Sequence, residues 1–196
     1  MAKRPAPLIL STHSSVENML STPTKREFAP RHIGYFNTHI SPIIKNRRFD
    51  EVHRAVKIVD GIWLGDASDA MDIDTLNEHG IESVVNCAEK HTLTCEEYYP
   101  FGWNYLGLEC DDTADYDILG KHLSEFSSFM NKCIREKKHV LVHCAAGINR
   151  SATLLIAYLV QSREMNLNDA ISLCFQKRPI ILTNQAFVMT LIERFT

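Results

Sequence analysis

A cysteine and an arginine six positions apart, with only small or uncharged side chains between them, are the residues most able to do chemistry together. They lie in His143-Cys144-Ala145-Ala146-Gly147-Ile148-Asn149-Arg150-Ser151. Gly147 permits a tight backbone path. Ala145 and Ala146 leave the backbone open to a ligand. Peptide N–H groups that converge where a helix begins bind an anion, and the helix dipole adds to the attraction. The Arg150 guanidinium is a fork that matches two oxygens of a phosphate-like group. The same positive field favours a thiolate, so a cysteine at the mouth of such a loop is a nucleophile for phosphorus. Attack by Cys144 would pass through a covalent phosphocysteine. On this reading Ala145, Ala146, Gly147, Ile148, Asn149 and Arg150 bind the substrate phosphate. Ser151 donates a hydrogen bond to the sulfur and eases its departure in the second step. His143 shapes the loop rather than acting as a base, because a thiolate needs none.

Such a loop must follow a strand and open a helix. Val140–Val142 is short and wholly apolar, the kind of strand that is buried on both faces of a sheet. Residues 150–162 are apolar nearly all round, which predicts a central buried helix. Upstream, Val56–Leu64 is β-rich around a turn at Asp60-Gly61. Residues 67–79 predict one helix that stops at Gly80. Ile81–Cys87 and Trp103–Leu108 predict strands. Leu119, Leu123, Phe126, Met130 and Cys133 recur at spacings of four and three, which predicts an amphipathic helix over Ile118–Arg135. Two further helices follow, over Asn168–Gln176 and Asn184–Phe195. Strands alternating with helices, then a helical C-terminus, predict an α/β fold with a central mixed sheet flanked by helices.

Expelling an alkoxide or phenoxide from phosphorus also needs an acid. Asp111, Asp112, Asp115 and Asp117 lie in a loop just before the long helix, and a loop can close over a substrate and lift away later. Asp115 and Asp117 are read as caps for that helix. Asp111 and Asp112 remain as acid candidates.

The pattern His143-Cys144-x2-Gly147-x2-Arg150-Ser151 resembles the signature loop of the cysteine-dependent protein phosphatases, and more closely that of the small atypical dual-specificity phosphatases. Asp60-Gly61-Ile62-Trp63-Leu64-Gly65, Val84-Val85-Asn86-Cys87, Ala157-Tyr158-Leu159-Val160 and Asn184 through Phe187 are similar to other parts of that family, although it often has Pro where this chain has Thr183. The resemblance covers residues 56–196. It implies a cysteine-phosphatase-like fold and hydrolysis of phosphotyrosine and phosphoserine/threonine on a phosphorylated protein, with neither cofactor nor metal. It places the acid on a loop ahead of the cysteine. Asp112, 32 positions before Cys144 and followed by Thr113, fits that best, with Asp111 its competitor. In some relatives a cysteine on the strand that holds Cys87 forms a reversible disulfide with the nucleophile, so Cys87 is a candidate redox partner. The alternative is a buried apolar thiol. Other members of the superfamily act on RNA 5′-triphosphates or phosphoinositides, or bind phosphoproteins without catalysis. Uncharged residues at 145, 146, 148 and 149 argue against a lipid polyphosphate.

The rest of the chain sets the context. Its 196 residues are 45% apolar and 23% charged, enough for one ordinary domain plus spare chain. Residues 1–57 hold ten Lys/Arg, four Asp/Glu and five of the seven prolines, whereas residues 58–196 hold eleven and twenty charges of each sign. Residues 1–55 are accordingly read as a basic N-terminal extension, partly disordered or wrapped on the domain, and residues 56–196 as the catalytic domain. Lys45-Asn46-Arg47-Arg48 is read as a basic linker, and Lys177-Arg178 as solvated surface charge. A net charge of −3 argues against a nucleic-acid partner. The longest apolar run, Leu154–Val160, is far short of the roughly 20 residues a membrane span needs. Six cysteines without a CxxC pair, and no export signal at the start, point to a reducing cytoplasm, with the basic clusters leaving the nucleus open. A homodimer is compatible with all of this.

Overall fold

Apolar residues alternate between two faces along the strands, so helices must cover both sides of the sheet. The computed structural model describes residues 27–48 and 54–196. Among these, five strands form one sheet: β1 (Val56–Val59), β2 (Ile62–Gly65), β3 (Ile81–Asn86), β4 (Asn104–Gly107) and β5 (His139–His143), in the order β1-β2-β5-β3-β4. β1 and β2 are an antiparallel hairpin, and the other pairings are parallel. The sheet is therefore mixed, with β5 at its centre. Ile62, Leu64, Val85, Val140 and Val142 enter a large core on one face. Val84 and Leu141 enter a smaller core on the other, against which Trp63 also packs.

The N-terminal part contributes α1 (Pro30–Tyr35), a π-helical turn at Phe36–Ile40, and α2 (Ser41–Ile44). Ile40 and Ile44 are buried in the large core, and the Tyr35 hydroxyl donates to Asn168 Oδ1 at 3.0 Å. The π-helical turn alters the register of the apolar positions, which is why this stretch has no clean helical period. Residues 1–26 and 49–53 lie outside the described residues.

Over residues 67–79 the single predicted helix is two: α3 (Ala67–Met71) and α4 (Ile73–Glu78). Asp66 caps α3 in a reciprocal capping box with Asp69. Asp72 breaks the run because its carboxylate accepts from the Thr75 amide at 3.1 Å and its hydroxyl at 2.7 Å. A short acidic side chain here outcompetes helix continuation and starts a new helix. α3 and α4, with Tyr99, Trp103 and Tyr105, cover the smaller face.

The larger face is covered by α5 (Ile118–Arg135), α6 (Arg150–Arg163), α7 (Leu167–Lys177) and α8 (Gln185–Phe195). Asp117 caps α5 by accepting from the Gly120 amide at 3.0 Å. α6 is the most deeply set: every residue from Arg150 to Leu159 is buried. Each fully buried Leu or Ile contributes about 1.5–3 kcal/mol relative to exposure, so α6 ties its own start firmly to the core. That start is where the loop of residues 144–149 ends.

Candidate active site

Donors behind the loop decide which way its peptides face. The Ala145 carbonyl accepts from the Ala67 amide at 3.2 Å, and the Ile148 carbonyl from the Leu182 amide at 2.9 Å. The Gly147 carbonyl accepts from Arg178 Nε at 3.0 Å, and the Ala146 carbonyl from Arg178 Nη2 at 3.4 Å. The Asn149 carbonyl accepts from the Thr153 amide at 2.9 Å and its hydroxyl at 2.8 Å. Five successive carbonyls are thus turned toward the scaffold. No peptide bond among the described residues is cis. In a planar trans peptide the N–H points opposite to the C=O. The N–H groups of Ala146, Gly147, Ile148, Asn149 and Arg150 therefore face the other way, as a cradle for an anion at the start of α6.

Gly147 is required at its position. Its φ is +64, and a Cβ there would lie 2.4 Å from the Gly65 carbonyl oxygen. The loop packs so closely on the end of β2 that no side chain fits.

Arg178 departs most from the sequence expectation. The pair Lys177-Arg178 is read there as surface charge, but Arg178 is fully buried. It follows α7 directly, and the acceptors of its guanidinium include the Gly147 and Ala146 carbonyls, the Arg54 carbonyl at 2.9 Å and Asp66 Oδ2 at 3.3 Å. Burial alone would raise the Asp66 carboxyl. The Ser68 hydroxyl, backbone amides and Arg178 outweigh it and hold Asp66 below the usual carboxylate range.

Cys144 follows β5 directly and is buried beneath this loop. The Ser151 hydroxyl donates to its sulfur at 3.2 Å. His143 is fully buried, and its Nδ1 lies 3.4 Å from the Cys144 carbonyl, which can only accept. Nδ1 therefore carries the proton, and burial pushes the imidazole down to about 4, so it is neutral. That arrangement fits a shaping residue rather than a base.

Arg150 is almost wholly buried, with Nη1 3.3 Å from the Cys110 carbonyl and 3.3 Å from His91 Nδ1. A guanidinium only donates, so His91 Nδ1 is the acceptor and its proton sits on Nε2, 4.0 Å from Asp111. Arg150 Nε is buried with no hydrogen-bond partner among the described residues.

Of the two acid candidates, Asp112 is the one joined to the loop. Its Oδ2 accepts from Asn149 Nδ2 at 3.1 Å and its Oδ1 from Asn184 Nδ2 at 2.9 Å. Asp111 faces His91 instead. Asn149 Oδ1 in turn accepts from the Thr183 hydroxyl at 3.1 Å and the Asn184 amide at 3.0 Å. Cys87 and Cys110 are buried in the same core as Cys144. Burial, reinforced by the neighbouring thiols, pushes Cys87 well up, and burial pushes Cys110 up to about 12. His91, Cys110, Arg178, Thr183 and Asn184 were not among the site residues expected from sequence. Only Asn184 carried a signal, as an Asn ahead of an apolar-periodic helix.

A cysteine below a cradle of turned-in amides, between the central strand and a buried helix, defines a cysteine-dependent phosphatase fold. The solved structure of DUSP15 superposes with a TM-score of 0.64 at 27% identity, covering 72% of this chain and 87% of that one. The family model for the dual specificity phosphatase catalytic domain matches residues 62–196, and the chain belongs to that family. Within the cysteine phosphatase superfamily it sits with the small atypical dual-specificity phosphatases. A probable rhodanese domain-containing dual specificity protein phosphatase of Dictyostelium discoideum is 34% identical over 134 residues, covering 68% of this chain and 27% of that protein. Dual specificity protein phosphatase 2 of Mus musculus is 30% identical over 138 residues, covering 70% of this chain and 42% of that protein. The chain thus spans less than half the length of either relative.

Proposed function

We propose that the chain hydrolyses phosphotyrosine and phosphoserine/threonine in proteins through a phosphocysteine at Cys144. The observation that carries this reading is the set of five loop carbonyls turned toward the scaffold, from Ala145 to Asn149. The amides of residues 146–150 and the Arg150 guanidinium hold the three equatorial oxygens as charge develops on them. Cys144 forms the S–P bond while the P–O bond to the substrate breaks, and Asp112 gives its proton to the departing oxygen. Water then attacks phosphorus, Asp112 takes a proton from it, and the S–P bond breaks. Ser151 donates to the sulfur as it regains its charge. Each step is assigned to groups of this chain. The acid assignment is supported by the tie between Asp112 and the loop residue Asn149.

The breadth of substrate follows from the family and from the short domain, which has little material for the deep walls that would exclude the shorter phosphoserine. Residues 56–196 are the proposed catalytic domain and residues 1–55 its extension. Cys87 is the proposed redox partner of Cys144. No helix of the described residues is long and apolar enough to cross a membrane. A cytoplasmic or nuclear site of action is part of the same proposal.

Turnover of p-nitrophenyl phosphate and of phosphotyrosyl and phosphothreonyl peptides tests the reading. Cys144→Ser abolishes it on every substrate, and Asp112→Ala lowers kcat on the phosphopeptides by about 10²–10⁴-fold and on p-nitrophenyl phosphate far less. Wild-type turnover by Cys144→Ser would remove the mechanism. Normal turnover by Asp112→Ala with a loss in Asp111→Ala would move the acid by one residue.

A further inference from the structure

We propose that Arg47, which lies outside the family-matched residues 62–196, is a positioning residue for the acid loop. The inference rests on Asp112 being the acid. Sequence alone makes Lys45-Asn46-Arg47-Arg48 a basic linker, but the guanidinium of Arg47 is docked. Nε donates to the Ile181 carbonyl at 3.1 Å, and Nη2 donates to the Leu182 carbonyl. The next residue continues the contact, with the Arg48 amide donating to the Pro179 carbonyl at 2.9 Å.

The segment being held is the one that reaches the site. Leu182 has φ +61, a left-handed conformation that a leucine adopts only when its surroundings over-determine it. Two hydrogen bonds do so from opposite sides. Arg47 takes its carbonyl, and its own amide donates to the Ile148 carbonyl of the signature loop. The strained residue directs the chain onward to Thr183 and Asn184. Those two bond Asn149 Oδ1, and Asn184 Nδ2 reaches Asp112. A continuous run of polar contacts therefore joins Arg47 to the Asp112 carboxylate, through one backbone turn and one asparagine. Two carbonyls presented side by side suit a planar fork of donors, which a lysine cannot reproduce.

Loss of Arg47 frees the Leu182 carbonyl and removes one of the two restraints on a strained residue. Asn184 then shifts, and Asp112 loses half of its support. A displacement of about 1 Å far from the reacting atoms can lower a rate by up to about 10²-fold. The defect falls mainly on proton delivery, because Ser151 and the carbonyls of Ala145, Ala146, Gly147 and Asn149 are anchored by other groups.

The experiment uses the full chain and two substrates that differ in their need for an acid. p-Nitrophenolate leaves with little help, and phenolate does not. Arg47→Ala is expected to lower kcat on phenyl phosphate about tenfold and on p-nitrophenyl phosphate by no more than about twofold. The rate at which iodoacetamide alkylates Cys144 stays unchanged. Arg47→Lys loses less, in the same leaving-group-dependent way, and serves as the readout if the alanine variant does not fold. Asp112→Ala, run alongside, shows the same pattern more strongly. A parallel fall on both substrates, or no fall, in the Arg47 variants while Asp112→Ala keeps its pattern overturns the role of Arg47 alone. An Asp112→Ala variant that is indifferent to the leaving group overturns the acid assignment, and the role of Arg47 with it.

Discussion

The Ser151 hydroxyl lies 3.2 Å from the Cys144 sulfur, carried there by the first turn of α6 from behind the central strand. A hydrogen bond to a charged group contributes about 1.5–3 kcal/mol. In the proposed cycle that stabilisation acts on the sulfur as it leaves phosphorus. Ser151→Ala therefore keeps a rapid first release of p-nitrophenolate, but steady turnover falls about 10- to 100-fold. Rapid-quench measurement of the burst checks this. Loss of the burst together with turnover would place Ser151 in the first step instead.

Arg178 holds two loop carbonyls and Asp66 with one buried guanidinium. Arg178→Met leaves these acceptors, and the Arg54 carbonyl, without that donor. Breaking a buried ion pair from one side costs about 3–5 kcal/mol, and the urea midpoint should fall accordingly. Because the cradle loses its backing, vanadate should bind more weakly even well below the melting temperature. Arg178→Lys should not restore either property. A variant with wild-type stability and vanadate affinity would leave the loop's orientation without its main cause.

His143 sets a pH limit on stability. Burial holds it down to about 4 in the folded protein, against an ordinary value of 6.5. Between those values the unfolded chain takes up a proton that the folded chain refuses. The stability is whole above about 6.5 and is lost as pH falls toward about 4, by at most about 3 kcal/mol. Urea midpoints measured from about pH 7 down to about pH 4.5 should fall, and the slope should flatten in His143→Asn. An unchanged slope would show that His143 is not buried neutral.

Peroxide tests the pairing of Cys87 with Cys144. Oxidation of the Cys144 sulfur gives a sulfenic acid, and attack by the Cys87 thiol forms a disulfide with loss of water. Mass mapping should find a Cys87–Cys144 crosslink that dithiothreitol removes, with activity restored. Cys87→Ser should accumulate irreversible sulfinic acid at Cys144. Cys110 is buried in the same core, so a crosslink to Cys110 instead would reassign the partner.

What could be read from the residues alone follows a physical division. α5 and α8 were legible because their apolar positions repeat at helical spacing, and β5 because a central parallel strand is apolar throughout. Cys144, Arg150 and Ser151 could be singled out because the roles proposed for them depend on spacing within one loop. Arg178 was not, since only its distant acceptors make a buried guanidinium tolerable, and Gly147 lies 31 positions away. Asp112 was preferred to Asp111 on its spacing from Cys144, but its bonds to Asn149 and Asn184 depend on distant partners and were not legible. The break at Asp72 was missed because an aspartate inside a helical pattern reads equally as a solvated face. The helical turns over residues 30–44 were missed because a π-helical turn disturbs the period.

The depth of α6 has a consequence for how such a site changes over time. Its first ten residues are buried, so Arg150, Ser151 and the end of the loop rest on well-packed core, the kind of element that opens late. Asp112 is steadied instead by bridges between exposed side chains. In the proposed cycle the phosphate's cradle is thus built on bedrock and its proton delivery on topsoil. Mutations around Asp112 can retune how readily different leaving groups depart while the cradle beneath stays intact.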